Sequence, residues 1–257
     1  MKYRLNIPGV DNELLFRDAT KLMPISSRRN FLKNAAGLGS LVMLSGCGVV
    51  DEGSAENLLK YMSSWNDGAQ GLLFNPRALA PEFSEAEITR PFRFNAFYPE
   101  ADAPEVDEAD WQLVVDGLVT NKKPWTLAEL KALPHETQIT RHVCIEGWSA
   151  IGKWSGVRLS HFLDKIGADK TAKYVGFLCE DRYSSSLDMA TALHPQTQIT
   201  TGFDGGALPR SFGFPIKIRV PTKLGFKNPK HVLQLTVTND YPGGFWENQG
   251  YNWFSGL

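Results

Sequence analysis

Cys144 stands in the run Arg141-His142-Val143-Cys144-Ile145-Glu146-Gly147-Trp148-Ser149, which sets a thiol beside an imidazole, a guanidinium and a carboxylate. A thiol in such company is a candidate metal ligand, because the thiolate is the ligating form and neighbouring charges decide how much of it exists. The other cysteines are Cys47 and Cys179. Two readings of Cys179 compete with each other. In one it pairs with Cys144 in a disulfide, closing a loop of about 35 residues and adding a few kcal/mol. In the other it is a small buried residue at the end of Tyr174-Val175-Gly176-Phe177-Leu178-Cys179, leaving Cys144 free to ligate a metal.

A second constellation lies further on. Residues 205–239 contain Arg210, Lys217, Arg219, Lys223, Lys227 and Lys230 and no acid. Such a stretch suits a phosphate, which lysine meets as a point charge and arginine as a planar fork, with Gly213 and Gly225 letting the backbone come close. A solvated basic strand edge that discourages aggregation is the competing reading.

The compartment bears on the thiol. Ser27-Arg28-Arg29-Asn30-Phe31-Leu32-Lys33 followed by an apolar stretch from Ala35 to Gly46 reads as a twin-arginine export signal. That stretch is shorter than the roughly 20 residues a membrane span needs. Leu44-Ser45-Gly46-Cys47 resembles a lipobox, in which the cysteine is lipid-modified, and equally a small-residue peptidase site. The expected location is therefore the periplasm, with Cys47 as a candidate lipid anchor. Cysteines outside the cytoplasm are normally oxidised in pairs, so an unpaired Cys144 there points to a metal.

Elements that position these residues are legible from pattern. Trp111, Leu113, Val115 and Gly117 alternate as one side of a half-buried strand. Thr126 with Glu129 three positions on, before Leu130 and Pro134, predicts a capped short helix. Residues 138–144 form a strand whose period of two puts Thr140, His142 and Cys144 on one face. His142 then either bonds a carbonyl as a buried structural residue or serves the thiol's chemistry. Residues 160–166 predict a short helix, and 174–187, 216–220 and 232–238 predict strands. Residues 48–91 read as a tether with a short helix over 55–64, broken afterwards by Pro76, Pro81 and Pro91.

Composition excludes several classes. Residues 1–47 hold 7 of the 27 Lys and Arg and 3 of the 28 Asp and Glu, so 20 basic groups face 25 acidic ones beyond Cys47. Nucleic acid is not an expected partner of so acidic a body. Glycine-rich dinucleotide and P-loop patterns and Gly-x-Ser-x-Gly are absent, which removes the usual nicotinamide, flavin, ATP and serine-hydrolase readings.

Together with Trp154-Ser155-Gly156-Val157-x-Leu159, the Cys144 run resembles the molybdenum-cysteine segment of the sulfite oxidase family of molybdopterin enzymes. In layout the chain is similar to the catalytic subunits of periplasmic methionine sulfoxide reductases, over about residues 94–250. The resemblance implies an α+β fold, a sulfite oxidase-type molybdopterin-binding domain of mixed β-sheets with short covering helices. It would occupy residues 93–257, after a signal over 1–47 and a tether over 48–92. It implies one mononuclear molybdenum on a single molybdopterin, with Cys144 as the metal thiolate.

Carried over residue by residue, Asn95 and Tyr98 match an Asn-x-x-Tyr that contacts the pterin. Leu208-Pro209, Gly213-x-Pro215-x-Lys217 and Val220-Pro221-x-Lys223-x-Gly225-Phe226-Lys227 follow the phosphate-binding run, and Asn228, Pro229 and Lys230 should close over the pterin phosphate. There are three departures. Cys179 replaces a cofactor-contacting threonine, Phe212 a cofactor-binding asparagine, and Lys217 the usual arginine. Arg141 and His142 join Cys144 as candidate catalytic groups, with Glu146 near them.

The implied activity is two-electron oxygen-atom transfer between water and a small substrate, with molybdenum cycling between Mo(VI) and Mo(IV). Near Cys144 the sequence offers only Arg141, with Arg182 more distant; this favours a sulfoxide-like substrate over sulfite. Sulfite dehydrogenase is the alternative, as is a metal-free exported binding or scaffold protein of the same fold. No Cys-x-x-Cys-His haem site occurs, so a membrane cytochrome b or soluble cytochrome c is the expected electron partner, beside the twin-arginine export machinery. The segment after Gly243 leaves no room for a dimerisation domain, and a monomer is expected.

Overall fold

The computed structural model describes residues 52–257. The arginine pair, the apolar stretch and Cys47 lie outside the described residues. In chain order the elements are α1 (Glu52–Leu73), β1 (Gln112–Gly117), β2 (Trp125–Thr126), α2 (Leu127–Lys131), β3 (His135–Val143), β4 (Ser149–Arg158) and α3 (Leu159–Lys165). There follow β5 (Tyr174–Cys179), β6 (Ser184–Asp188), α4 (Met189–Ala192), β7 (Gln198–Phe203), β8 (Gly206–Ala207), β9 (Lys217–Arg219) and β10 (Val232–Thr238).

The strands make two sheets. One runs β2-β1-β10-β5-β6 and the other β3-β4-β7-β8, with β9 added on β7. Only β1 and β10 pair in parallel, Val114 opposite Gln234; every other pairing between these strands is antiparallel. The first sheet is therefore mixed, and α2 to α4 are short. This is the α+β arrangement expected from the sequence.

Local chemistry explains the element ends. β1 buries Trp111, Leu113 and Val115 beside it and within it, and stops at Gly117, whose φ is +85°. A Cβ there would lie 2.0 Å from the Val237 carbonyl oxygen, so the parallel approach of β10 requires glycine. α2 starts with the expected capping box: Thr126 Oγ1 accepts from the Glu129 N–H at 3.2 Å and Glu129 Oε2 from the Thr126 N–H at 3.0 Å.

A single hydrophobic core takes side chains from both sheets, including Leu113, Val175 and Leu235 from one and Val157, Ile199 and Ile218 from the other, with Phe162 and Leu163 of α3. The second sheet is anchored in this core through β4, β7 and β9, with β3 at one end of its order and β9, on β7, at the other.

The short helix expected over 55–64 is longer than its composition suggests. α1 is a helix of 22 residues rather than a short one over 55–64, and residues 60–257 form one compact unit. Asp67 Oδ1 accepts the Phe254 N–H at 2.8 Å, Phe83 donates its N–H to the Ile139 carbonyl, and Phe92 packs edge-on against Trp154. These long-range contacts cannot be read from a proline-punctuated composition.

Candidate active site

β3 carries the site's first wall. Gln138, Thr140, His142 and then Cys144 are buried on one face, the last just past the strand's end. The chain turns there, with Gly147 N–H donating to the Cys144 carbonyl at 3.1 Å and Cys144 N–H to the Trp148 carbonyl at 2.9 Å. Cys144 and Cys179 are both free and buried, so the disulfide reading fails. Burial holds the Cys144 thiol above its ordinary range, and the charge of Arg93 acts in the opposite direction. Arg93 itself stacks over the Trp148 ring at 5.0 Å.

The second wall is β9. Its period of two sends Ile218 into the core and leaves Lys217 and Arg219 sharing the other face, both fully buried. Both sit over the Trp154 ring of β4, at 4.8 and 5.6 Å. Lys230 Nζ donates to the carbonyls of Asn95 at 2.5 Å and Ser211 at 2.9 Å. The basic segment is thus folded inward, and the solvated-edge reading fails for it: Lys217, Arg219, Lys223, Lys227 and Lys230 are all buried.

Two of these five cations have acids. Lys227 pairs with Glu247 at 2.5 Å and Lys223 with Asp188 at 3.7 Å. Lys217, Arg219 and Lys230 have no carboxylate partner among the described residues. Burial pushes Lys230 down to about 8 and Arg219 to about 9, and burial with repulsion from Lys230 and Arg219 drives Lys217 well below its usual range. An uncompensated buried charge costs several kcal/mol, so this cluster is built to receive an anion.

His142 lies against that cluster. Burial first, then the charges of Lys217, Arg219 and Lys230, keep its imidazole neutral. Its Nε2 is 3.4 Å from Asn95 Nδ2, and Nδ1 is buried with no partner, as is Nε of Arg219. The backbone of Gly225 closes on the ring, where a Cβ would come within 2.6 Å of Nε2. His142 therefore bonds no backbone carbonyl, and it offers an unused ring nitrogen to whatever occupies the site.

Several expected site residues take other roles. Arg141 is exposed on the opposite face of β3 and stacks over Phe83 at 5.0 Å, because strand alternation turns it away from its two neighbours in the motif. Cys179 belongs to the hydrophobic core, and Phe212 packs edge-on with Phe92 and Phe203; neither offers the hydrogen bond of the residue it replaces. Asn228 spends its amide internally, with Oδ1 accepting from Arg219 Nη1 and Val220 N–H at 2.8 Å each and Nδ2 donating to the Leu224 carbonyl at 3.1 Å. The Pro229 carbonyl accepts from Ile218 N–H. Of the Asn228-Pro229-Lys230 run, only Lys230 carries charge into the site. Tyr98 donates its hydroxyl to Asp181 Oδ2 at 3.0 Å, and Asn95 bridges Lys230 and His142. Arg219 and Trp154, which the sequence offers only as members of a basic stretch and of a motif, line the site, as Arg93 does without any signal in the sequence; the Lys217-x-Arg219 alternation is what marks the first as a partner of Lys217.

No group of three or more His, Cys, Asp or Glu able to hold a metal exists among the described residues. A metal at Cys144 would need its remaining ligands from a non-protein group. A recess of about 180 Å³ beside Pro242, lined by residues such as Phe177, Ser185 and Thr236, contains no titratable side chain and is not the chemical centre.

Comparison with known proteins gives the same picture. Residues 100–246 match the family model of the oxidoreductase molybdopterin binding domain. The chain is 56% identical over 241 residues to a putative protein-methionine-sulfoxide reductase subunit YedZ1 of Azospira oryzae, covering 94% of this chain and 92% of that one. It is 30% identical over 204 residues to the protein-methionine-sulfoxide reductase catalytic subunit MsrP of Burkholderia mallei, covering 69% of this chain and 61% of that protein. The match to MsrP of Ralstonia nicotianae, also 30% identical, spans 59% of that protein. Among solved structures, the sulfane dehydrogenase SoxCD of Paracoccus pantotrophus superposes with a TM-score of 0.51 at 21% identity, over 54% of this chain and 40% of that one. That likeness shows the sulfite oxidase-type fold.

Proposed function

The chain belongs to the oxidoreductase molybdopterin-binding family and is a molybdenum oxidoreductase; from this premise we propose that it reduces sulfoxides by two-electron oxygen-atom transfer, with methionine sulfoxide in proteins as the substrate class. The relatives that match along most of this chain bear that activity in their names. The single observation that carries the reading is the buried cation cluster of Lys217, Arg219 and Lys230, without acids among the described residues, against His142, which shares its face of β3 with Cys144.

The residues fit the cofactor. Lys217, Arg219 and Lys230 would hold its anionic phosphate end, and Cys144 would give the metal a soft thiolate whose proton the metal displaces. When bound, the group supplies the two-electron oxygen-atom chemistry. The overall change is R₂SO + 2e⁻ + 2H⁺ → R₂S + H₂O. The chain's own residues orient and exclude: Trp154, Phe92 and Phe212 wall the cation cluster with aromatic surface. Neutral His142, its Nδ1 free, is placed to hold or pass a proton.

A sulfite anion would call for exposed arginines around the reacting centre. Arg141 faces away, leaving Arg93 already stacked on Trp148, which supports a neutral sulfoxide over sulfite. The protein is further proposed to work outside the cytoplasm after twin-arginine export, and to receive electrons as one subunit of a pair, from a membrane cytochrome b or a soluble cytochrome c. Turnover of peptide methionine sulfoxide and of sulfite by protein purified after native export, with artificial carriers, tests the substrate. Thioether product is expected; sulfite oxidation without sulfoxide reduction would overturn the proposal.

A further inference from the structure

α1 is inside out. Helical period brings Asp67, Gln70 and Phe74 to one face, and that face docks: Asp67 accepts the Phe254 N–H, Gln70 accepts the Gly256 N–H at 3.0 Å, and Phe74 meets Phe254 edge-on at 5.6 Å. The opposite face carries Tyr61, Met62, Trp65, Leu72 and Leu73, and all five are exposed, Trp65 at 70% and Leu73 at 83%. Over residues 61–73 the one charged residue is Asp67, which points inward. A helix on a solvated surface puts its charges outward and its apolar stripe inward. Here the outward face is apolar and aromatic, and contiguous exposed patches of that kind mark interaction sites.

What covers it is indicated by the chain just before it. Cys47 stands five residues ahead of Glu52, which is at most about 17 Å of extended chain, and it ends the apolar stretch from Ala35 to Gly46. A segment directed to a membrane there brings α1 to the bilayer surface. Among the described residues no helix is long and apolar enough to cross a membrane, so α1 would lie on the surface, and tryptophan and tyrosine are the residues that favour that interface. We propose that α1 is an interfacial helix that rests its Tyr61, Trp65 and Leu72 face in the headgroup and acyl boundary of a lipid bilayer. This fixes the orientation of the enzyme's body over the membrane. The proposal rests on the reading of Cys47 and the apolar stretch as membrane-directed.

The test uses the full-length, cofactor-loaded chain carrying Cys47→Ser, so that no acyl anchor contributes. Vesicles of phosphatidylethanolamine and phosphatidylglycerol with brominated acyl chains are added, and Trp65 fluorescence is taken as the difference between this protein and its Trp65→Phe variant. Quenching of that difference signal is expected, with a fall in vesicle-bound fraction of about tenfold or more on Trp65→Glu with Leu72→Glu. Molybdenum content and circular dichroism of the variants establish that they fold. An unquenched Trp65 on vesicle-bound protein, or a dimer that the double variant dissociates, would overturn the proposal, the second outcome giving the face to another copy of this chain. The mass of the Cys47 protein after export reports lipidation separately, so failure of the anchor reading is seen apart from failure of the helix.

Discussion

The guanidinium of Arg219 donates to Asn228 Oδ1 at 2.8 Å while the same oxygen accepts the N–H of Val220, closing the loop between β9 and Asn228 on itself. Arg219 also reaches the Arg141 carbonyl at 2.7 Å and Thr140 Oγ1 at 3.2 Å, which ties β9 to β3 beneath the site. Asn228→Ala removes three hydrogen bonds and leaves a buried guanidinium short of an acceptor. We expect about 2–4 kcal/mol of destabilisation, seen as a fall of several degrees in Tm.

Lys230→Met should weaken retention of the pterin by about 10- to 100-fold, the worth of one charge-assisted hydrogen bond. Lys230→Arg should keep most of it, because the charge survives. Pterin and molybdenum content after extended dialysis separates the two. Equal retention in both would remove Lys230 from the anion site.

Cys144→Ala is expected to lose turnover while melting within a few degrees of the parent. The thiol ends a strand whose turn is held by backbone bonds of Cys144, Gly147 and Trp148 rather than by the side chain. Activity together with the Mo(V) paramagnetic signal is the measurement; an unaltered signal would mean that the thiolate does not ligate the metal.

Gly225→Ala tests the closeness of the loop to His142. Its Cβ would stand 2.6 Å from Nε2 and 2.8 Å from Cε1 of a fully buried ring, an overpacking cost of about 1–3 kcal/mol. The loop must retreat, so cofactor content should fall along with Tm. A double variant with His142→Ala, which makes room for the methyl, should recover part of the Tm.

Stability of the cofactor-free protein should depend on pH in a defined direction. Lys230 is held at about 8 against an ordinary 10.5, by burial, so between those values the unfolded chain binds more protons than the folded one and stability rises with pH. Below about 8 the penalty for burying the charge is present in full; above, it is progressively relieved. A bound anion stabilises the charged lysine, so the loaded protein should lack this rise. Thermal melts of both forms from pH 7 to about 10 check it.

The sequence by itself determined what local periodicity and short-range chemistry control. His142 and Cys144 share a face because strands alternate, Thr126 and Glu129 cap α2 because they are three residues apart, and Gly205 to Asn239 is rich in cations without acids whatever the fold. Tertiary structure decided which of these groups meet. Arg141 and Arg219 are both arginines in strands, yet one is exposed over Phe83 and the other buried over Trp154. That depends on which face of β3 the core occupies and on β9 pairing with β7, and it brings Arg219 to Thr140, 79 residues earlier in the chain. The inverted face of α1 was hidden for the same reason: its docking partner is Phe254, at the other end of the described chain. Burial of the cations is likewise a property of the packed sheets, and it turns a basic composition into an anion site.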